Sequence, residues 1–258
     1  MKNLLTALAL GVASVIAPSA FAETPKPTVV LVHGAFADSS SWNGVIRILK
    51  KDGYPVLAVA NPLRGVASDG AYVSNALDSI KGPVVLVGHS YGGSVITEAA
   101  RDHANVKALV YVSAFAPDSG ETAAGLSAKF PGSTLGQAIA PPVKLSTGGN
   151  DLYILQDKFH HQFAADVPEA EAALMAATQR PITDAALNEA SGKPAWISIP
   201  NWFVYGDKDL NIPPKAIAFM AERAHARKTE VVAGASHVVM VSHPDLTARL
   251  IERAAAGE

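Results

Sequence analysis

The chain reads as an α/β protein: a mostly parallel sheet of about six strands, helices on both faces, and a helical cap inserted late in the chain. Three observations predict this. Short apolar runs alternate with stretches of helical spacing from residue 27 to residue 116. That rhythm breaks between 117 and 200, and it resumes from 201 to 258. The runs themselves are continuously apolar, as in strands buried on both faces. The division that follows is 23–116 and 201–258 for the core and 117–200 for the cap, behind a leader at 1–22.

The leader is read first. In "MKNLLTALALGVASVIAPSAFAE", Lys2 precedes an apolar run from Leu4 to Ile16, and Ala20-Phe21-Ala22 closes it. A basic head, a short apolar stretch and an A-x-A end describe a signal peptide cleaved after Ala22. The run is too short to span about 30 Å of hydrocarbon. Export to the periplasm or the medium, with no stable membrane anchor after cleavage, is the expectation.

Then come the elements in order. "PTVVLVHG" (27–34) is a strand ending in glycine. Residues 39–53 carry Trp42, Val45, Ile46 and Leu49 at helical spacing, with Gly53 as the stop. A second strand lies at 54–60. A helix is expected at 68–80, with Ser68 or Asp69 able to cap it. "GPVVLVGHS" (82–90) is the third strand, 91–103 its helix, and 106–114 the fourth strand. The insertion is rich in Gly, Pro and Ser at first, then shows short helical pieces divided by Pro168 and Pro181. Strands at 201–207 and 229–234 follow, with helices near 214–226 and 243–256.

Composition narrows the function. With 258 residues, 49% hydrophobic, the chain can bury the core of one sizeable domain. A net charge of -2 lacks the basic surplus of a nucleic-acid binder. Without cysteine it forms no disulfide and carries no lipid on a cysteine.

The chemistry gathers at strand ends. "VGHSYGG" places Ser90 in G-x-S-x-G between a strand and a helix, the setting in which this motif is a nucleophile elbow. The motif alone is common by chance, and its setting is what lends it weight. A serine nucleophile needs a base. His237, just after the last strand in "VVAGASHVVM", suits that role. His243 precedes Pro244 and opens a helix, His33 braces the first loop, and His89 is the variable elbow residue. The adjacent His160 and His161 cannot share a helix face, so they do not form a metal pair. Three acids are candidates to orient the base: Asp209 and Asp207 in "VYGDKDLNIP", and Asp118 after the fourth strand. All keep the order Ser, Asp, His. Spacing from the strand end favours Asp209. An oxyanion site needs two backbone N–H groups. Tyr91, after the nucleophile, is one, and "HGAF" supplies the other, with Ala35 ahead of Phe36. Candidates for substrate contact are Phe36, Val238 beside the base, and the cap residues Phe130, Tyr153, Phe159 and Phe163, together with Leu135, Leu152, Leu174 and Met175.

These residues together resemble the α/β-hydrolase superfamily. "VHGAFADSSSW", "VGHSYGG", "YGDKDLNIP" and "SHVVMVSHP" carry the likeness over most of the chain, most weakly in the cap. More narrowly they resemble the branch of plant methyl esterases, hydroxynitrile lyases and small bacterial carboxylesterases. The resemblance implies Ser90, Asp209 and His237 as triad, Ala35 and Tyr91 as oxyanion donors, and no metal or organic cofactor. Hydroxynitrile lyases of the branch carry threonine after the first motif histidine and lysine after the catalytic one. Gly34 and Val238 stand there instead, which favours ester hydrolysis. The expected partner is a small ester. A perhydrolase or haloperoxidase, a lactonase, and a non-catalytic binding module are the alternatives.

Overall fold

The computed structural model describes residues 25–258; the expected leader and its cleavage point lie outside them. The first half runs β1 (Thr28–Val32), α1 (Asn43–Lys51), β2 (Val56–Val59), α2 (Val66–Asp78), β3 (Val84–His89), α3 (Gly92–Ala99) and β4 (Val106–Val112). The insertion holds α4 (Ala123–Ala128), β5 (Val143–Lys144), β6 (Asn150–Leu152), α5 (Gln156–Phe163), α6 (Glu169–Thr178), β7 (Ile182–Thr183) and α7 (Asp184–Asn188). The core then completes with β8 (Asn201–Gly206), α8 (Pro214–Arg223), β9 (Lys228–Val232), α9 (Val239–Ser242) and α10 (Pro244–Ala256).

Six strands form one parallel sheet in the order β2-β1-β3-β4-β8-β9. Strands β1, β3 and β4 are rich in valine and leucine and buried along almost their whole length, as a sheet covered on both faces requires. Of the covering helices, α2 packs on α3 and α1 on α10. Helix α1 buries Val45 and Leu49, four residues apart on one stripe. Gly53, at φ 80°, lets the chain leave that helix. The Tyr54 and Gly53 N–H groups then return to the carbonyls of Leu49 and Lys50, the paired bonds of a left-handed helix end.

Strand order locates the site. From β1 the chain steps outward to β2, then crosses back to β3 on the other side of β1. The connections therefore diverge between β1 and β3, and a crevice opens there at the carboxyl ends of the strands. The loop after β1 and the turn after β3 meet in that crevice.

Two expectations change in detail. Helix α2 starts at Val66, with Gly65 as its N-cap, so neither Ser68 nor Asp69 caps it. Asp69 turns back to accept the N–H groups of Arg64 and Gly65 instead. The cap is not purely helical, because β5, β6 and β7 form a small antiparallel sheet. Strands of two or three residues are too short to show a period of two. The closing helix expected at 243–256 is found as α10, with the one-turn α9 added before it.

Candidate active site

Ser90 sits at the turn between β3 and α3 with φ 53°, a left-handed conformation that non-glycine residues rarely adopt. Its backbone is fully engaged. The N–H donates to Val112, and the carbonyl accepts from Gly93 and Phe115. Neighbouring side chains must be absent for so tight a turn. A Cβ on Gly92 would stand 2.5 Å from the Val32 carbonyl oxygen, and one on Gly34 would stand 2.6 Å from Ser90 Cβ.

The candidate acid and base are joined. His237 Nδ1 donates to Asp209 Oδ2 at 2.7 Å, with both side chains buried. Asp209 Oδ1 accepts the N–H groups of Asn211 at 2.8 Å and Ile212 at 3.0 Å. The carboxylate is thus held by three donors, and the tautomer follows. With the proton on Nδ1, His237 Nε2 carries the lone pair that a base requires. Ser90 and His237 both line a cavity of about 350 Å³. Ser90 Oγ has no hydrogen-bond partner among the described residues; contacts of this kind tighten when substrate is bound.

The other two aspartates serve their own turns. Asp207 is exposed and accepts the Gly234 N–H at 2.7 Å. Asp118 accepts the Ser119 N–H at 2.7 Å.

Two N–H groups suit an oxyanion. Ala35 and Tyr91 are buried and line the same cavity, and neither N–H donates to a protein acceptor among the described residues. The Phe36 N–H, by contrast, donates to the Arg180 carbonyl at 3.0 Å, which removes it as a donor. The Tyr91 ring is anchored through its hydroxyl to Asp69 Oδ2 at 3.0 Å.

His33 and His89 are held by backbone partners. His33 Nε2 accepts the Asn61 N–H at 3.0 Å, so Nδ1 carries the proton and donates to the Gly34 carbonyl at 2.9 Å. His89 Nε2 donates to the His237 carbonyl at 3.2 Å, and the two rings lie 4.8 Å apart. Burial lowers the pKa of His33 and pushes that of His89 well below the ordinary 6.5, the latter helped by the neighbouring His237. Folding therefore favours the neutral form of both, while the unfolded chain takes up protons below 6.5. Stability should fall as pH drops below 6.5, by up to about 1.4 kcal/mol per pH unit for each histidine. Urea midpoints across that window measure it, and a flat profile would contradict it.

The cap closes over this arrangement. Phe163 of α5 lies edge-on to His237 with ring centres 5.0 Å apart. Asp166 accepts the Ser236 N–H at 3.1 Å and also the Ser236 hydroxyl, tying the cap to the loop that carries His237. Gln162 donates to Asn211 Oδ1 at 2.8 Å.

Of the residues expected to touch substrate, Phe36 and Phe163 line the cavity, as do Leu135 and Leu152. Phe130, Tyr153, Phe159 and Val238 do not. Phe159 lies fully buried against Phe163, with ring centres 4.9 Å apart. Phe130 packs on Phe219, and Val238 is fully buried. Tyr153 lends its carbonyl to Ala140 within the cap. Leu174 is largely exposed. Sequence reasoning missed Phe115, Ser127, Ser133, Asn211 and Ile212 on the wall. Asn211 and Ile212 had a signal, since they directly follow the favoured acid.

Comparison with known proteins agrees with this fold. A family model described as the alpha/beta hydrolase family matches residues 29–250. An alpha/beta hydrolase of Aspergillus novofumigatus is 26% identical over 253 residues, covering 90% of this chain and 98% of the relative. The alpha-hydroxynitrile lyase of Arabidopsis thaliana is 26% identical over 241 residues, covering 85% of this chain and 93% of that protein. Among solved structures, polyneuridine aldehyde esterase superposes with a TM-score of 0.76 at 18% identity, covering 88% of this chain and 98% of the other, a likeness of fold.

Proposed function

The chain belongs to the alpha/beta hydrolase family, and from that premise we propose that it is a serine esterase acting on small to medium carboxylic esters through an acyl-enzyme. One observation carries the reading. A histidine whose Nδ1 proton is held by a buried carboxylate shares an apolar cavity with a serine presented on a strained turn.

The steps follow from the residues. His237 Nε2 accepts the Ser90 proton as Oγ attacks the ester carbonyl. Asp209 stabilises the imidazolium that forms. The N–H groups of Ala35 and Tyr91 receive the developing oxyanion, and losing one such donor typically costs about 10²–10³ in rate. His237 returns the proton to the departing alcohol. It then deprotonates water, which releases the acid and restores Ser90. The esterase name of the structural neighbour supports this direction. Cyanohydrin cleavage, the activity named for the Arabidopsis relative, is disfavoured because the position after His237 holds a buried, uncharged Val238. The leader-like segment at 1–22 supports action in the periplasm or the medium.

Treatment with a fluorophosphonate tests the reading. One equivalent should attach to the tryptic peptide containing Ser90 and abolish release of nitrophenol from p-nitrophenyl butyrate. Labelling elsewhere with full loss of activity, or no turnover of any short ester by folded protein, would overturn it.

A further inference from the structure

A second, larger cleft shares one wall residue with the cavity that holds Ser90. Phe36 lines the cavity of about 350 Å³ that holds Ser90 and His237. It also lines a cleft of about 630 Å³ between the loop at 36–44 and α6. No other residue belongs to both walls. The two spaces differ in character. The cavity wall around Ser90 is overwhelmingly apolar, whereas the cleft combines Leu174, Met175 and Pro244 with Asp38, Arg47 and Glu171.

Phe36 is held in place on several sides. Its φ of 59° is left-handed, which an unconstrained phenylalanine avoids. Its N–H is fixed by the Arg180 carbonyl at 3.0 Å. Its ring is buried and meets Phe163 edge-on, with centres 6.2 Å apart. Residues held in such conformations persist where the surroundings over-determine them. Arg180 follows Gln179, which itself lines the cleft. The cap therefore fixes the one residue that the two walls share.

We infer that Phe36 is a partition that sets the size limit of the substrate. With the ring in place, the protein takes esters whose two arms both fit the apolar cavity, a volume at the small end for ligand sites. Without it, the cavity and the cleft become one groove. That groove admits an ester with one long arm whose far end lies among polar side chains. The inference rests on Ser90 marking the substrate site, and its test is a binding measurement that needs no turnover.

Calorimetry in the Ser90→Ala background, with and without Phe36→Ala, compares p-nitrophenyl butyrate with p-nitrophenyl decanoate. Phe36→Ala should strengthen decanoate binding at least tenfold relative to butyrate. Adding Met175→Trp, which fills the cleft, should reverse that gain, while in the presence of Phe36 it should leave the ratio unchanged. An unchanged ratio on removing Phe36, or a gain that Met175→Trp does not reverse, would overturn the partition. If the alanine variant does not fold, as judged by circular dichroism, Phe36→Leu carries the same comparison with a smaller opening. Turnover of butyrate by the unmodified protein tests the esterase reading separately.

Discussion

Replacing Ser90 with alanine is expected to lower kcat on a short ester by about 10⁴- to 10⁶-fold, the range seen when a triad nucleophile is removed. The loss should be almost entirely in chemistry. The apolar cavity wall and the two N–H groups remain, so substrate still binds and some rate above water persists. Stability should barely change. Ser90 Oγ has no partner among the described residues to lose, and alanine tolerates φ 53° no better or worse than serine does. Glycine at the same position makes an internal control. It should be equally inactive yet more stable by about 1 kcal/mol, because it releases the left-handed strain. Thermal melts and kcat on the three proteins measure both effects. A Ser90→Ala protein that keeps more than a few per cent of the activity would remove Ser90 from the mechanism.

What the sequence reveals and what it hides divide along physical lines. The sheet is legible because a strand buried on both faces must be apolar throughout, as Val84–Val87 and Leu109–Val112 are. The elbow is legible because the close approach of backbone to backbone at Gly92 excludes any side chain. The favoured acid lies in a short loop after β8, where spacing alone suffices. The cap resists because its side-chain directions come from contacts distant in sequence. Phe159 and Phe163 share a face of α5 four residues apart, yet one reaches the cavity and the other is covered. Position along the helix does not separate them; the core residues beneath do. Phe36 is the extreme case. Nothing local foretells a left-handed phenylalanine, since its conformation depends on a carbonyl 144 positions away, Arg180 to Phe36. Asp166 likewise has no motif around it, though it grips the residue next to the base.

The acid is the stricter test, because Asp209→Asn should be nearly as damaging as loss of the base while changing no atom's position. A reduction in kcat of about 10⁴ is expected, as when a triad aspartate becomes the amide. The direction follows from the donors around the carboxylate. Oδ1 receives two N–H groups, from Asn211 and Ile212. In the variant the amide oxygen must stay there, since an NH2 group facing two donors would leave all of them unsatisfied. The NH2 group is then forced to the Oδ2 position and faces His237 Nδ1 as a donor. The imidazole can accept it only by giving up the Nδ1 proton and carrying its proton on Nε2. That places N–H where the lone pair must meet the serine, so the base is present but in the wrong tautomer. Nitrogen-15 resonances of His237 report the exchange directly, and kcat should fall with them. Asp118→Asn is the counterpart, since that side chain serves a Ser119 N–H in its own turn. It should alter kcat by less than about threefold, the scale of a surface change of under 0.5 kcal/mol. Equal damage from the two substitutions, or an Asp209→Asn protein with the Nδ1 proton still in place and normal turnover, would break the link between this carboxylate and catalysis.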